Sequence, residues 1–507
     1  MQTHEVKVHP SAAELPREQQ LAWHIAEFAH NVGPLDADVT GMIACRIADN
    51  ASVALASINR APVAAARAMA LAHPRKAGAT LYGLSSKTRV DAEWAAWANA
   101  TAVRELDFHD TFLAADYAHP GDCISPMIAV AQQMKLDGAA LARGIAVAYE
   151  VHVALVKAIS LHKYKKDHVA HLAPATSAGI GAMLKLPVET IYQAINQTVH
   201  LAFSTRQSRK GEISSWKAYV PGFSGKLAIE AVDRAMRGEA SPSPIYEGEE
   251  SVIAWMLGGP DSHYEVSLPA PGESPRGIME TYTKAYSAEY QAQAIIDLAI
   301  ELSRQIGDLS KIRDIVLETS HHTHNVIGTG ANDPQKLDPD ASRETLDHSI
   351  MYILAVALED RKWHHVDSYT SERAHRPSTV ALWHKIRTVE DPAWTKRYLD
   401  PDPHKRAFGG KLIVTLNDGN VVIGERAVAD AHPNGVRPWT WPAYAEKFAT
   451  LTRDILGEAE QEVFLTRAKG FTGLAAGALD ALLPALPAGT VVPAKPTGQG
   501  IFDHGLE

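Results

Sequence analysis

The segment ELDFHDTFLAADYAHPGD, residues 105–122, gathers four aspartates, a glutamate and two histidines among Phe108, Phe112 and Tyr117. Imidazoles and carboxylates at this density suit acid–base catalysis, metal ligation or a solvated loop. Asp107 and Thr111 are four residues apart, so a helix end would place them on one face, while Pro120 forces the chain at His119 out of the helix. That arrangement would bring polar groups from a helix terminus and its following loop into one space. On composition alone, capping aspartates with an exposed His119 explain the stretch equally well.

Further polar clusters recur along the chain. HHTH (321–324) follows a strand-like run, RDIVLET (313–319). On a strand only His322 and His324 would share a side, and no cysteine lies near, so a cleft-lining role is favoured over a metal. TRQSRKGEISSWKAY (205–219) carries Arg206, Arg209, Lys210 and Lys217 ahead of a helix predicted from about 223, after Pro221-Gly222. A cationic loop entering a helix N-terminus suits an anion; a solvated basic loop is the plainer reading. Asp167 and His168 precede an alanine-rich helix, Lys284 opens a helix predicted over 284–306, and Arg343, Asp347 and His348 lead into one predicted over 341–358. No phosphate-binding glycine loop, dinucleotide fingerprint or zinc-protease motif is present, so a nucleotide-dependent enzyme is not expected.

These clusters fall at the ends of elements. Helical periodicity runs through the first half, including 125–134, 137–160 with Asp137 as N-cap, 173–184, 188–200 and 223–236. Beyond Pro269–Pro275, strand signals appear among helices: 313–319, weakly 364–370, and the hairpin 411–425 around Asn417-Asp418-Gly419-Asn420. Helices are expected at 376–388 and again from Trp441, ending in the alanine- and leucine-rich 473–486 and returning to the first domain. The expected fold is therefore mainly α with an inserted α+β unit: 1–272 helical, 273–430 α+β, 431–507 helical with an extended or mobile tail from about 484. Clefts between such units are where small molecules usually bind.

Bulk properties narrow the partners. A net charge of −10 argues against nucleic acid or an anionic membrane surface. The apolar stretch GAALARGIAVAYEVHVALVKAI carries Arg143, Glu150, His152 and Lys157 and reads as a buried helix, and the N-terminus lacks a signal-peptide pattern, so a cytoplasmic protein is expected. Two cysteines exclude a disulfide scaffold and an iron–sulfur cluster held by three or four thiolates of this chain.

In this order, LDFHDT…HPGD, DHVAH…ATSAGIGA, SSWKAYVPGFSGKLAIEA, TKAYSAEYQAQ and SRETLDHSIMYILAVALED resemble the MmgE/PrpD family over most of the chain. The resemblance implies a helical domain built from both termini, a smaller lid domain, a homodimer, and a cofactor-independent dehydratase of 2-methylcitrate in propionate catabolism. Citrate dehydration, cis-aconitate decarboxylation and iminodisuccinate epimerisation are the alternatives within the family. A metal-dependent hydrolase using HHTH with Asp107 and Asp110 is a more distant one. By resemblance, His119 and His168 form the acid–base pair with Asp107 orienting an imidazole. Thr111, Lys217, Lys284, His324 and Arg206 would hold the tricarboxylate. A tyrosine of the decarboxylases falls on His324, with His322 the neighbouring choice. That change argues against decarboxylation.

Overall fold

The computed structural model describes residues 1–210, 213–494 and 500–504. The helical patterns of the first half become the helices Ala37–Ala56, Ala92–Arg104, Ile124–Gln133, Gly138–Ala158, Leu172–Leu184 and Val188–Ala202. Asp137 caps its helix, its side chain accepting from the Ala140 N–H at 2.8 Å. Gly138–Ala158 is long and apolar enough to cross a bilayer, yet 83% of its apolar window is buried inside the protein, as in a core helix. Where it crosses Leu172–Leu184, a Cβ on Gly179 would lie 2.6 Å from the Gly144 carbonyl oxygen, so only glycine permits this backbone-to-backbone approach.

One boundary differs from expectation in a way that matters for the site. The helix predicted from 223 begins at Trp216 and runs to Met236 straight through Pro221. The proline costs one ladder hydrogen bond. Close packing offsets it: a Cβ on Gly222 would meet the Trp97 carbonyl oxygen at 2.8 Å, so the helix lies tight against Ala92–Arg104. Lys217 consequently sits in the first helical turn instead of in a loop.

The α+β region folds around a four-stranded sheet ordered Ile386–Glu390, Ile312–Thr319, Gly410–Leu416, Val421–Arg426. The first pair is parallel and the others antiparallel. Gly419 makes the hairpin turn at φ +90°. Ile386–Glu390 is a strand where a helix over 376–388 was expected; the helix stops at Trp383. The weak strand at 364–370 is instead a 3-10 turn, Asp367–Tyr369, because Tyr369 turns inward to share a core with Tyr352 and Trp383. The expected helix over 341–358 divides into Arg343–Leu346 and Ile350–Asp360. The helix predicted from 284 begins at Tyr290, leaving Lys284 in the segment before it.

The last third returns to the first. Helices Trp441–Thr452 and Glu458–Lys469 bury Phe448 and Phe464, stacked at 4.4 Å, in the same apolar core as Ile43 and Ile47. Each such ring contributes about 1.5–3 kcal/mol by leaving water. The helix expected over 473–486 is only a short turn, Leu479–Leu482. Beyond it, Val492 is tied to Arg67 and Asn59; residues 495–499 and 505–507 of the expected tail lie outside the described residues. The N-terminal strand Gln2–Lys7, unforeseen, pairs antiparallel with His263–Leu268.

Candidate active site

The opening cluster is not a helix face. Helix Ala92–Arg104 ends, and Asp107 takes the left-handed conformation at φ +48°, which aspartate tolerates better than most residues. Thr111 then exchanges backbone hydrogen bonds with Tyr282 (2.9 and 2.8 Å) and starts a tiny hairpin, Phe112–Leu113 with Tyr117–Ala118. The Thr111 hydroxyl donates to the Ala118 carbonyl at 3.0 Å, closing that hairpin.

Asp107 gathers cations from three parts of the chain. Its Oδ1 meets Arg104 at 2.9 Å and Lys284 at 2.8 Å, and its Oδ2 meets Lys217 at 3.3 Å. Lys284 also donates to the Asp107 carbonyl at 3.0 Å. Burial would raise the Asp107 pKa, but Arg104, Lys284 and Lys217 outweigh it and hold the carboxyl well below its usual range. Lys217 reaches a second carboxylate, Asp347, at 3.2 Å, which in turn binds Arg343 at 3.2 Å and touches the Nδ1 of His348. Asp107, Asp347 and His348 approach closely enough to hold a cation, and the cation between them is the Lys217 ammonium. Four cations thus contact these two carboxylates, and a third buried acid, Glu289, acts on Lys284 and Lys217 with its own pKa raised to about 7 by burial.

Beside this cluster stand two buried histidines, their rings 5.6 Å apart. His119 is fixed by the carbonyl oxygen of Asp110, 2.8 Å from its Nδ1. A carbonyl can only accept, so Nδ1 carries the proton and Nε2 offers a lone pair. That Nε2 lies 3.8 Å from Asp107 Oδ1, so the backbone, not Asp107, sets the tautomer that sequence reasoning had assigned to the aspartate. Asp110 itself is structural: its side chain accepts from the Gly121 N–H and the Tyr149 hydroxyl. Burial, reinforced by Arg104 and Lys284, pushes the His119 pKa well below its ordinary value. His168 is pushed down likewise, by burial and then by Arg209, and neither of its ring nitrogens has a hydrogen-bond partner. Asp167, expected beside it, does lie there, its Oδ1 3.3 Å from His168 Nδ1, and is clamped by Arg209 and by the Ser208 hydroxyl at 2.7 Å.

The remaining expected residues divide. Arg206 donates to the Tyr117 hydroxyl at 2.9 Å, and the Tyr117 ring lies 5.2 Å from His168, so Arg206 borders the pair. His324 does not join them: its Nδ1 pairs with Thr388 at 2.7 Å and its ring lies against Gly330. HHTH is a short helix, His321–Val326, capped by Ser320, so 322 and 324 diverge instead of sharing a strand face. It is His322 that faces the site, 5.6 Å from Tyr117 and 5.1 Å from His162.

Lys447 escaped sequence reasoning altogether, sitting mid-helix with no motif around it. From the returning helix it donates to the carbonyls of Phe108 (2.6 Å) and Lys284 (3.1 Å) and pairs with Asp49 at 2.6 Å. It also borders a cavity of about 660 Å³ lined by Tyr286, Trp363, His365 and Trp439; none of Asp107, His119, His168 and Lys217 lines that cavity.

Comparison with known proteins places the chain in a family. The MmgE/PrpD N-terminal domain matches residues 19–265 and the MmgE/PrpD C-terminal domain residues 286–469; the chain belongs to this family and is an enzyme of it. Curated relatives include the mitochondrial 2-methylcitrate dehydratase of Yarrowia lipolytica, 27% identical over 394 residues, covering 74% of this chain and 73% of that one. The 2-methylcitrate dehydratase of Salmonella typhi is 26% identical over 401 residues (74% and 78%). That of Cupriavidus necator is 28% identical over 356 residues (66% and 69%).

Proposed function

We propose that this protein dehydrates 2-methylcitrate to 2-methyl-cis-aconitate by acid–base elimination. The observation that carries the reading is the convergence of Arg104, Lys284 and Lys217 on one buried carboxylate beside a histidine whose Nε2 lone pair is free. Buried cations are costly unless anions complete them, and a tricarboxylate supplies such charge. Lys284, Arg104 and Arg206 hold carboxylates, so the charge that builds up as a proton leaves the adjacent carbon is met by fixed cations.

His119 Nε2 removes that proton; the C–H electron pair becomes the new C=C bond, and the C–O bond on the neighbouring carbon breaks. His168 gives a proton to the departing hydroxyl, which leaves as water. Both imidazoles are neutral in the empty site, and the substrate's negative charge raises their basicity, so His168 acquires its proton as the substrate enters. Among the described residues, the ammonium of Lys217 already fills the tight cluster of Asp107, Asp347 and His348, which supports chemistry by proton transfer.

The burial of Phe448 and Phe464 among the first helices supports reading 1–272 with 431–507 as one domain and 273–430 as a lid inserted in it. Family membership supports a homodimer, and the burial of Gly138–Ala158 supports its reading as a core helix and not a membrane span.

The test uses chelator-treated protein with 2-methylcitrate, citrate and cis-aconitate in parallel, following alkene absorbance and carbon dioxide. Alkene formed fastest from 2-methylcitrate is the expected result. Gas from cis-aconitate, or a faster reaction with citrate, moves the function to another reaction of the family; activity restored only by added metal overturns the mechanism.

A further inference from the structure

Lys217 is over-supplied with acceptors. An ammonium has three N–H groups, and its Nζ lies 3.3 Å from Asp107 Oδ2, 3.2 and 3.4 Å from the two Asp347 oxygens, and 3.3 Å from His348 Nδ1. The same His348 Nδ1 is in short contact with Asp347 Oδ1. One ring nitrogen cannot accept from Lys217 and donate to Asp347 at once. With a bare Nδ1, its lone pair would face a carboxylate oxygen at close range in a poorly solvated site. With a proton there, it makes a charge-assisted hydrogen bond to Asp347.

We propose that His348 is a positioning residue for Lys217: its Nδ1–H locks onto Asp347, so the Lys217 ammonium keeps the two carboxylates and turns its third N–H to a substrate carboxylate. This rests on the anionic substrate class given above. His348 is built to hold one pose. Lys336 donates to its carbonyl at 2.8 Å, the Ser349 hydroxyl donates to the Lys336 carbonyl at 2.6 Å, and Ser349 caps the following helix. Asp347 is held from its other side by Arg343, which also donates to Ser287 and to the Leu106 carbonyl. Burial, then Lys217, keeps the imidazole neutral, with a pKa near 4, so it has one N–H to place.

The test exploits the two nitrogens separately. In His348→Asn the amide N–H stands roughly where Nδ1–H was; in His348→Gln it reaches toward the Nε2 position and leaves Asp347 without that donor. KM and kcat are measured on whichever acid of the panel the unaltered protein turns over fastest. His348→Gln is expected to raise KM by about ten- to a hundredfold, the worth of one hydrogen bond to a charged group, with a smaller loss in kcat. His348→Asn is expected to stay within about threefold of the unaltered protein. Equal impairment of both variants, or none in either, overturns the proposal. An activity-free arm reads the tautomer directly, by nitrogen-15 NMR of histidine-labelled, ligand-free protein with His348→Gln as the assignment control. A proton on Nδ1 is expected and a proton on Nε2 overturns the proposal. If no acid of the panel reacts, the proposed reaction fails while this arm still decides the role of His348.

Discussion

The main-chain carbonyl of Asp110 lies 2.8 Å from Nδ1 of His119, and this single contact orients the imidazole and fixes which of its nitrogens can take a proton. Because the orienting group is backbone, removing the imidazole leaves no charged partner stranded. His119→Ala is therefore expected to fold normally and to lose about two to four orders of magnitude in kcat, measured beside a thermal melt. Near-normal turnover would remove His119 from the proton transfer.

The same turn makes a prediction one step away from the chemistry. A Cβ on Gly121 would lie 2.5 Å from Asp110 Oδ1, in a place with no room for either to move, since Asp110 also binds Tyr149. Gly121→Ala should displace the Asp110 segment and with it His119. A displacement of about 1 Å costs on the order of a hundredfold in turnover even without contact with substrate. A crystal structure of the variant showing His119 unmoved, with activity intact, would contradict this.

Lys217 joins two carboxylates that come from opposite halves of the chain. Lys217→Met leaves Asp347 with only Arg343 and the His348 imidazole and should lower stability by about 3–5 kcal/mol, as for one partner removed from a buried ion pair. Lys217→Met combined with Asp347→Asn should recover part of that loss. Urea unfolding of both variants provides the check, and additive losses would show that the two residues are not coupled.

How much of this was legible in the sequence depended on whether the signal was local. Asp137 at its N-cap and the Asn417–Asn420 hairpin turn were readable because capping and turn chemistry act over a few residues. Pro221 misled, since the breaker rule weighs one lost hydrogen bond and cannot see the tight contact at Gly222 that offsets it. HHTH misled because a strand period was carried past Thr319, where Ser320 starts a helix. In the site, the motif order brought Asp107, His119, His168, Lys217 and Lys284 into view. Lys447 and the Asp110 carbonyl stayed hidden, because a lone lysine on a helix and a backbone oxygen carry no pattern; only the fold gives them a role.

Acidity supplies a further test. His152 is buried in the Gly138–Ala158 helix with both ring nitrogens unpartnered, and burial pushes its pKa down to about 3. A folded-state value below the unfolded 6.5 means that the unfolded chain binds a proton the folded one refuses. The residue therefore costs nothing above pH 6.5 and progressively destabilises the protein as pH falls from there toward 3. At pH 5 the penalty is about 2 kcal/mol. His152→Leu should narrow the gap in urea stability between pH 7.5 and pH 5 by that amount, and an unchanged gap would show that the penalty lies elsewhere.

The grip of Lys447 on the carbonyls of Phe108 and Lys284 has a temporal side. A ribosome delivers residues 105–122 early and the helix Trp441–Thr452 near the end, so a nascent chain can bury most of its first helices while the loop holding Asp107 and the lead-in holding Lys284 still lack their shared anchor. The reaction centre is then among the last features to set during synthesis, and chains released before residue 447 would carry every assigned acid, base and clamp yet remain idle.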